Sequence, residues 1–446
     1  MVCLRPLVLL CVVFSAVFNV GAQTPLVITL PDALNRAKQY GTQIQSAGLS
    51  AQLAKEDRIQ AKAATLPSLN AFNQFIYTEG NGTPSGVFVA NDGVHIYNEQ
   101  AVVHQELLAL FRHGEIRRAL AAEAVAKAKI EVARRGLTAT VAQDYYAILA
   151  AQRKLVNAQT SLSDAQQFLD ITQKLEKGGE VAHADVIKAQ ITLQQRQRDL
   201  QDGELNVEKA RIALGVLIFP DFRSDFSVAD DLQEPALLPP MPEALAKANS
   251  TNPDVEAAKA GVQAAQYDIS VARYGYLPSL SFDFFYGIDA NRFEANSAMA
   301  QDSGRSTLPN YEVSNRQNLG YSGQVTLNIP VWNWGATHSK VKQAEFKQQQ
   351  AKLDLTLAQR TLQANLASAY SEAQAAQAQL DSLRSSEDLS AESLRLTLLR
   401  YQAGEAVALE VVDAQTTVAQ ARNAYDDGLA RFRVAIAILQ TLTGAL

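Results

Sequence analysis

The chain has 446 residues, 47% hydrophobic and 19% charged, a balance that excludes an intrinsically disordered polymer. A formal net charge of -6 with no basic stripe excludes a nucleic-acid-binding surface. No HExxH, Walker loop, GxSxG or dinucleotide-binding glycine turn is present, and the five histidines are scattered, so no enzyme, metal centre or cofactor is expected.

The first 22 residues, MVCLRPLVLLCVVFSAVFNVGA, join a positive Arg5 to an apolar run from Leu7 to about Phe18 and end in Val20-Gly21-Ala22. This is the pattern of a secretory signal peptide cut after Ala22. Cys3 and Cys11 both lie inside it, and the next residue is Gln23, so the expected mature chain has no thiol, no disulfide and no lipid-bearing cysteine. No later apolar run reaches the ~18 residues of a membrane helix, which leaves a β-barrel as the route into any membrane.

From Pro31 two helical segments run to the proline of LPSL (66–69), where the ring of Pro67 ends them. Alternating residues follow in LNAFNQFIY (69–77), then a polar loop (78–94), then a less regular alternating segment around His95 to Leu107. The next helical stretch, from about His113 to Lys177, is roughly 100 Å long at 1.5 Å per residue. Within it Val141, Ile148, Leu155, Leu162 and Leu169 fall seven apart. Gly178 and Gly179 are expected to close a turn there, since glycine tolerates the left-handed conformations that end helices. The return segment keeps the beat at Val186, Leu193, Leu200, Val207 and Leu214, and a sustained seven-residue period signals coiled-coil packing.

The Pro- and Asp-rich piece FPDFRSDFSVADDLQEPALLPPMP (219–242) reads as a linker, after which the chain repeats itself. The stretches beginning at Pro31 and Pro242 align without a gap through LPSL at 277–280, which contains Pro278. Two alternating strands follow, LSFDFFYGI (280–288) and LGYSGQVTLNIP (319–330), around a polar loop (292–317). Pro330 ends the second, and Trp332 and Trp334 follow in IPVWNWG, either as an interfacial aromatic belt or as packing at the strand–helix junction. A second long helix from Thr337 to Ala403 turns at Gly404 and returns through Val411, Val418, Tyr425, Phe432 and Leu439. The expected domains are the leader (1–22), a first repeat (23–232) and a second repeat (233–446). Four strands do not close a membrane barrel, whose smallest forms have about eight, and open edges are not tolerated in lipid. A membrane role therefore demands oligomerisation, with eight strands from two chains or twelve from three.

The duplicated AL…A…LPSL, the paired strand–loop–strand units, IPVWNWG before a long helix, and the paired tips "G…D/E-V" followed by AQ resemble the TolC-like outer-membrane efflux and secretion proteins. The resemblance implies a mainly α fold with long coiled-coil hairpins forming an α-barrel, and four strands per protomer in a trimeric twelve-stranded transmembrane β-barrel. It implies an outer-membrane exit duct of tripartite efflux pumps or type I secretion, reaching into the periplasm and docking to a periplasmic adaptor and an inner-membrane transporter. It places Tyr401 and Asp185 at a periplasmic gate, and Glu410 and Asp413 in an acidic constriction ring. Spacing by itself leaves those two acids as a solvated hairpin surface. Ala406 and Ala184 stand where some members carry a gate arginine and a threonine. The alternative from a different class is a periplasmic coiled-coil scaffold or adaptor without a pore, which leaves the four matched strands unexplained.

Overall fold

The computed structural model describes residues 26–77, 95–108, 113–221, 225–290 and 319–445. The expected signal peptide and both polar loops (78–94 and 292–317) lie outside the described residues. In chain order the first half contains β1 (Leu26–Ile28), α1 (Leu30–Tyr40), α2 (Thr42–Ala63), β2 (Ser68–Tyr77), β3 (His95–Glu106), α3 (Gly114–Gly178) and α4 (His183–Ile218). The second contains β4 (Phe226–Val228), α5 (Met241–Thr251), α6 (Pro253–Arg273), β5 (Ser279–Ala290), β6 (Leu319–Asn328), α7 (Ala336–Gln402) and α8 (Ala408–Thr443).

The seven-residue pattern lands where it should. Val141, Ile148, Leu169, Val186, Val207, Leu214, Val411, Val418, Phe432 and Leu439 are buried, and Leu155, Leu162, Leu193, Leu200 and Tyr425 between them are half-buried. A period of seven keeps one seam of each helix facing its partner. So α3 packs along α4 and α7 along α8, and the hairpins meet where α3 lies against α8.

At the other end four antiparallel strands form one sheet in the order β2-β3-β5-β6. Register and alternation sort its residues onto two faces. One carries Leu69, Ala71, Ala101, Val103, Leu280, Phe282, Phe284, Tyr286, Tyr321, Val325 and Leu327. The other carries Ser68, Asn70, Gln74, Gln100, His104, Ser281, Asp283, Ser322, Gln324 and Thr326, with the apolar Phe72, Val102 and Phe285 among them, while Asn73, Glu99 and Gln105 fall on the first face. The sheet's edges are β2 and β6. The helices next to the sheet follow the same order, α2-α3-α6-α7, so α2 and α7 are edges too. Beyond them the order is α4-α3-α8-α7.

Among the described residues both helical edges are open and carry exposed apolar side chains. Leu49 and Leu53 on α2, and Phe346, Leu353 and Leu357 on α7, are 61% to 71% exposed. Farther along, Ile191 and Leu205 on α4 and Leu389, Leu396 and Leu399 on α7 are also exposed.

The linker holds a feature the sequence patterns did not reveal. Its β4 pairs in parallel with β1, Leu26 opposite Phe226 and Ile28 opposite Val228. Strands this short have too few residues to display a period, and Phe226 and Val228 become core only by packing with Ile28, Leu34, Ile148 and Leu214. Next to them lies a polar layer between the hairpins. Arg153 on α3 donates to Asp230 of the linker at 2.8 and 3.1 Å and to Asp426 of α8 at 3.2 Å. Asn157 donates to the other oxygen of Asp426 at 2.8 Å and to Asn423 at 3.0 Å. Asp426 is only 7% exposed, so these contacts compensate a carboxylate taken out of water.

Candidate functional site

The hairpin tips are built twice by the same local chemistry. Gly179 has φ 77° and Gly404 has φ 75°, both in the left-handed region that suits glycine. In the first tip the Glu180 amide donates to the Leu175 carbonyl at 2.9 Å; in the second the Glu405 amide donates to the Arg400 carbonyl at 2.8 Å. Each is the six-to-one bond that closes a helix end. Gly178 is not a turn residue: it is the last residue of α3, and Gly179 alone supplies the reversal. One closing residue with positive φ satisfies the carbonyls of the last turn, so a second is not needed.

Charges then bracket each turn. His183 Nδ1 lies 2.6 Å from Glu176 Oε1 across the first tip. Arg400 Nη1 lies 3.3 Å from Glu410 Oε2 across the second, and its Nη2 donates to the Glu405 carbonyl at 3.1 Å. The other oxygen of Glu410 accepts from the Val407 amide at 3.4 Å, covering an open N–H at the start of α8. Asp413, one turn on, is exposed on the same helix face. The two expected ring acids therefore differ: Glu410 is held by Arg400 and the helix end, and Asp413 faces solvent.

Tyr401 is 2% exposed, just before the second turn. Its ring meets Phe168 edge-on at 5.3 Å, within a cluster with Leu169, Val186, Ala189, Ala408 and Val411. This cluster draws on α3, α4, α7 and α8 together, so it ties the two tips of one chain to each other. The tyrosine hydroxyl donates to Thr172 Oγ1 at 3.4 Å, and Thr172 donates onward to the Phe168 carbonyl at 2.8 Å. Asp185 is half-buried beside this cluster. Burial pushes the Tyr401 phenol pKa up, and the nearby negative charge of Asp185 adds to the rise. Tyr401 and Asp185 thus share one site, but the hydroxyl's hydrogen bond goes to Thr172. Motif spacing carried no sign of Thr172 or Phe168, because the contact crosses between hairpins far apart in sequence.

Behind the tip, Gln415 donates to the Asp164 carbonyl at 3.1 Å and Arg196 donates to Thr416 Oγ1 at 3.0 Å. Ala184 is exposed and Ala406 half-buried. Both leave the tip without the polar side chains that the resemblance would supply there.

At the strand end, Pro67 directly precedes β2, Pro278 directly precedes β5, and Pro330 follows β6. Trp332 and Trp334 stand edge to face at 5.8 Å and are 75% and 89% exposed. They do not pack into the junction of their own chain. Trp334 takes φ 54°, an uncommon value for a bulky residue, and Gly335 follows at φ 80°. The junction is stitched by a hydrogen bond from Asn333 to Thr337 Oγ1.

A two-faced sheet and two coiled-coil hairpins, duplicated in one chain and open at both edges, define a class of proteins in which a strand assembly is carried on a helical stalk. The chain belongs to the outer membrane efflux protein family, whose model matches residues 33–218 and 244–445. It is similar to the pyoverdine export outer membrane protein OpmQ of Pseudomonas putida, 27% identical over 69% of this chain. That match spans 62% of the relative, under two thirds of its length. It is also similar to outer membrane protein TolC of Vibrio cholerae, 25% identical over 75% of this chain and 72% of that one. Among solved structures, the Campylobacter jejuni CmeC outer membrane channel superposes with a TM-score of 0.79 over 93% of this chain and 85% of that one. At 16% identity that likeness establishes a shared fold.

Proposed function

We propose that this chain is one protomer of a trimeric outer-membrane exit duct, passive in transport and gated at its helical tip. One observation carries the proposal: the sheet is mostly polar on one face and mostly apolar on the other, and among the described residues both the sheet and the helical layer end in open edges. Lipid on the apolar face and water on the polar face suit a barrel wall, and unpaired strand edges in lipid require further copies to close it. The exposed apolar rows on α2, α4 and α7 support packing of those copies against them. Three copies would supply twelve strands, the number that the family resemblance implies. The gate in this proposal is the cluster around Tyr401 with Asp185 at its side. The constriction is the acidic face of Glu410 and Asp413, gathered threefold around the axis, where carboxylates attract cations and repel anions. The exposed tryptophans would sit at the membrane interface. A duct of this kind serves a tripartite efflux pump or type I secretion, with a periplasmic adaptor and an inner-membrane transporter as partners.

Fractionation followed by reconstitution tests this. The protein is expected in the outer membrane as a trimer and to conduct ions in planar bilayers; recovery as a soluble periplasmic protein without conductance would refute it.

A further inference from the structure

The two repeats meet inside the chain where β3 pairs with β5, and the two edges of the sheet carry the corresponding strands, β6 and β2. LPSL closes the helical segment of both repeats, so Ser68 and Leu69 of β2 hold the places of Ser279 and Leu280 of β5. Ser68 pairs with His104 and Ser279 with Asn328, so Asn328 of β6 holds the place of His104 of β3. Counting on from there, Val331 and Trp332 hold the places of Leu107 and Leu108. Inside the chain this junction is covered. The Leu107 amide donates to the Leu280 carbonyl at 2.8 Å, and Leu107, Leu108, Pro278, Ser279 and Leu280 are half-buried. At the edges the same places are open. Val331 and Trp332 are 87% and 75% exposed, and Pro67, Ser68 and Leu69 are exposed as well. The bulk differs too: Tyr274, whose hydroxyl accepts from the Gly114 amide at 2.9 Å in the in-chain junction, has the small Ala63 as its counterpart before β2.

We propose that β6 docks on β2 of a second copy of this chain in the register that β3 keeps with β5, and that Trp332 and Trp334 clasp the LPSL segment of that copy. The proposal rests on the duct reading, which supplies the second copy. His104 stands opposite Asp283, whose place in β2 is held by Phe72, so Asn328 stands opposite Phe72 of the partner subunit. The Val331 amide then reaches the carbonyl of the partner subunit's Leu69. This register keeps the sheet's faces continuous across the seam. Val325 and Leu327 fall on the face of Leu69 and Ala71, and Gln324 and Thr326 on that of Ser68 and Asn70. A slip of one residue would exchange the faces. Ala63 leaves room where the in-chain junction holds a tyrosine, and the two indoles bring bulk from the other side. Such aromatic side chains, buried at a seam, are the usual anchors of an interface. The rings then lie at the membrane interface with protein, and not lipid alone, against them.

The test uses the full chain in detergent without lipid. Cys3 and Cys11 both fall in the expected leader, which leaves the background free of thiols. Oxidation of a chain carrying Phe72→Cys and Asn328→Cys is expected to link copies covalently, because opposed residues of an antiparallel pair hold their Cα atoms about 5 Å apart, within disulfide reach. Asn70→Cys with Asn328→Cys, two residues out of register, is expected to link little. Trp332→Ala with Trp334→Ala is expected to leave the helix content intact, since both rings are exposed in the single chain, and to raise the dissociation constant of the assembly about tenfold or more. Linking through the out-of-register pair in preference to the matched one, or no linking in a chain that still assembles, would overturn the register. Unchanged dissociation without the tryptophans would overturn the clasp. The duct reading would survive either result. A wild-type chain that stays monomeric would overturn the duct reading itself, and this proposal with it.

Discussion

At the scale of single residues, Tyr401 acts mainly through its ring. Its hydroxyl makes one long hydrogen bond, whereas its ring fills a cluster drawn from four helices. Tyr401→Phe is expected to cost at most about 1 kcal/mol, and Tyr401→Ala about 3 kcal/mol or more, because the alanine leaves a cavity between the tips. If the proposed gate is here, single-channel conductance rises for Tyr401→Ala and stays near wild type for Tyr401→Phe. Equal effects of the two would return the role to the hydroxyl. The acids of the proposed ring allow a second comparison. Arg400 stands against Glu410, and Asp413 faces solvent. Asp413→Ala is therefore expected to weaken cation selectivity more than Glu410→Ala does, and Arg400→Ala to strengthen it. Reversal potentials of the three variants check the order.

At the scale of elements, the hairpins owe their alignment to more than the heptad seam. The layer of Arg153, Asn157 and Asp426 joins α3 to α8, and Asp230 brings in the linker. Arg153→Ala leaves Asp426 buried with only Asn157, at an expected cost of about 3 kcal/mol, seen as a lower unfolding midpoint. Glu387 on α7 lies near the same layer, and burial followed by the charge of Asp426 raises its pKa. A carboxyl whose folded pKa is raised binds its proton more tightly in the folded state. Its contribution to stability is therefore full below the unfolded value of about 4.3 and is lost as pH rises through the folded one. Glu387→Gln is thus expected to stabilise the protein slightly near pH 7, within about 0.5 kcal/mol, and to give no gain near pH 4. Thermal melts at the two pH values distinguish this from a pH-independent effect.

At the scale of the whole molecule, the open edges decide the assembly. Leu53 on α2 and Leu353 on α7 are exposed apolar side chains on opposite edges of one layer. A charge at either site would be buried unpaired once copies meet. Leu53→Glu or Leu353→Glu is expected to leave the secondary structure of the chain intact and shift it from the proposed trimer to monomer, as measured by sedimentation in detergent. A variant that remains trimeric would place the contact between copies elsewhere.

Much of the fold was legible in the sequence because it is periodic. Heptads at Val141 to Leu169 and Val411 to Leu439, alternation in LSFDFFYGI, prolines at 67 and 278, and glycines at 179 and 404 are local signals that local physics obeys. The duplication gave each signal twice. What the sequence did not hold was any contact without a period. The pairing of β1 with β4, the Arg153 layer, Thr172 beneath Tyr401, Arg400 against Glu410 and His104 opposite Asp283 each join residues that only the folded chain brings together. Sequence alone thus determined the long elements, the duplication and which face of each is mainly apolar, because these follow from spacing along the chain. Tertiary structure alone decided which polar groups find each other, because a hydrogen bond or ion pair depends on a few ångströms of separation in space that spacing along the chain does not encode.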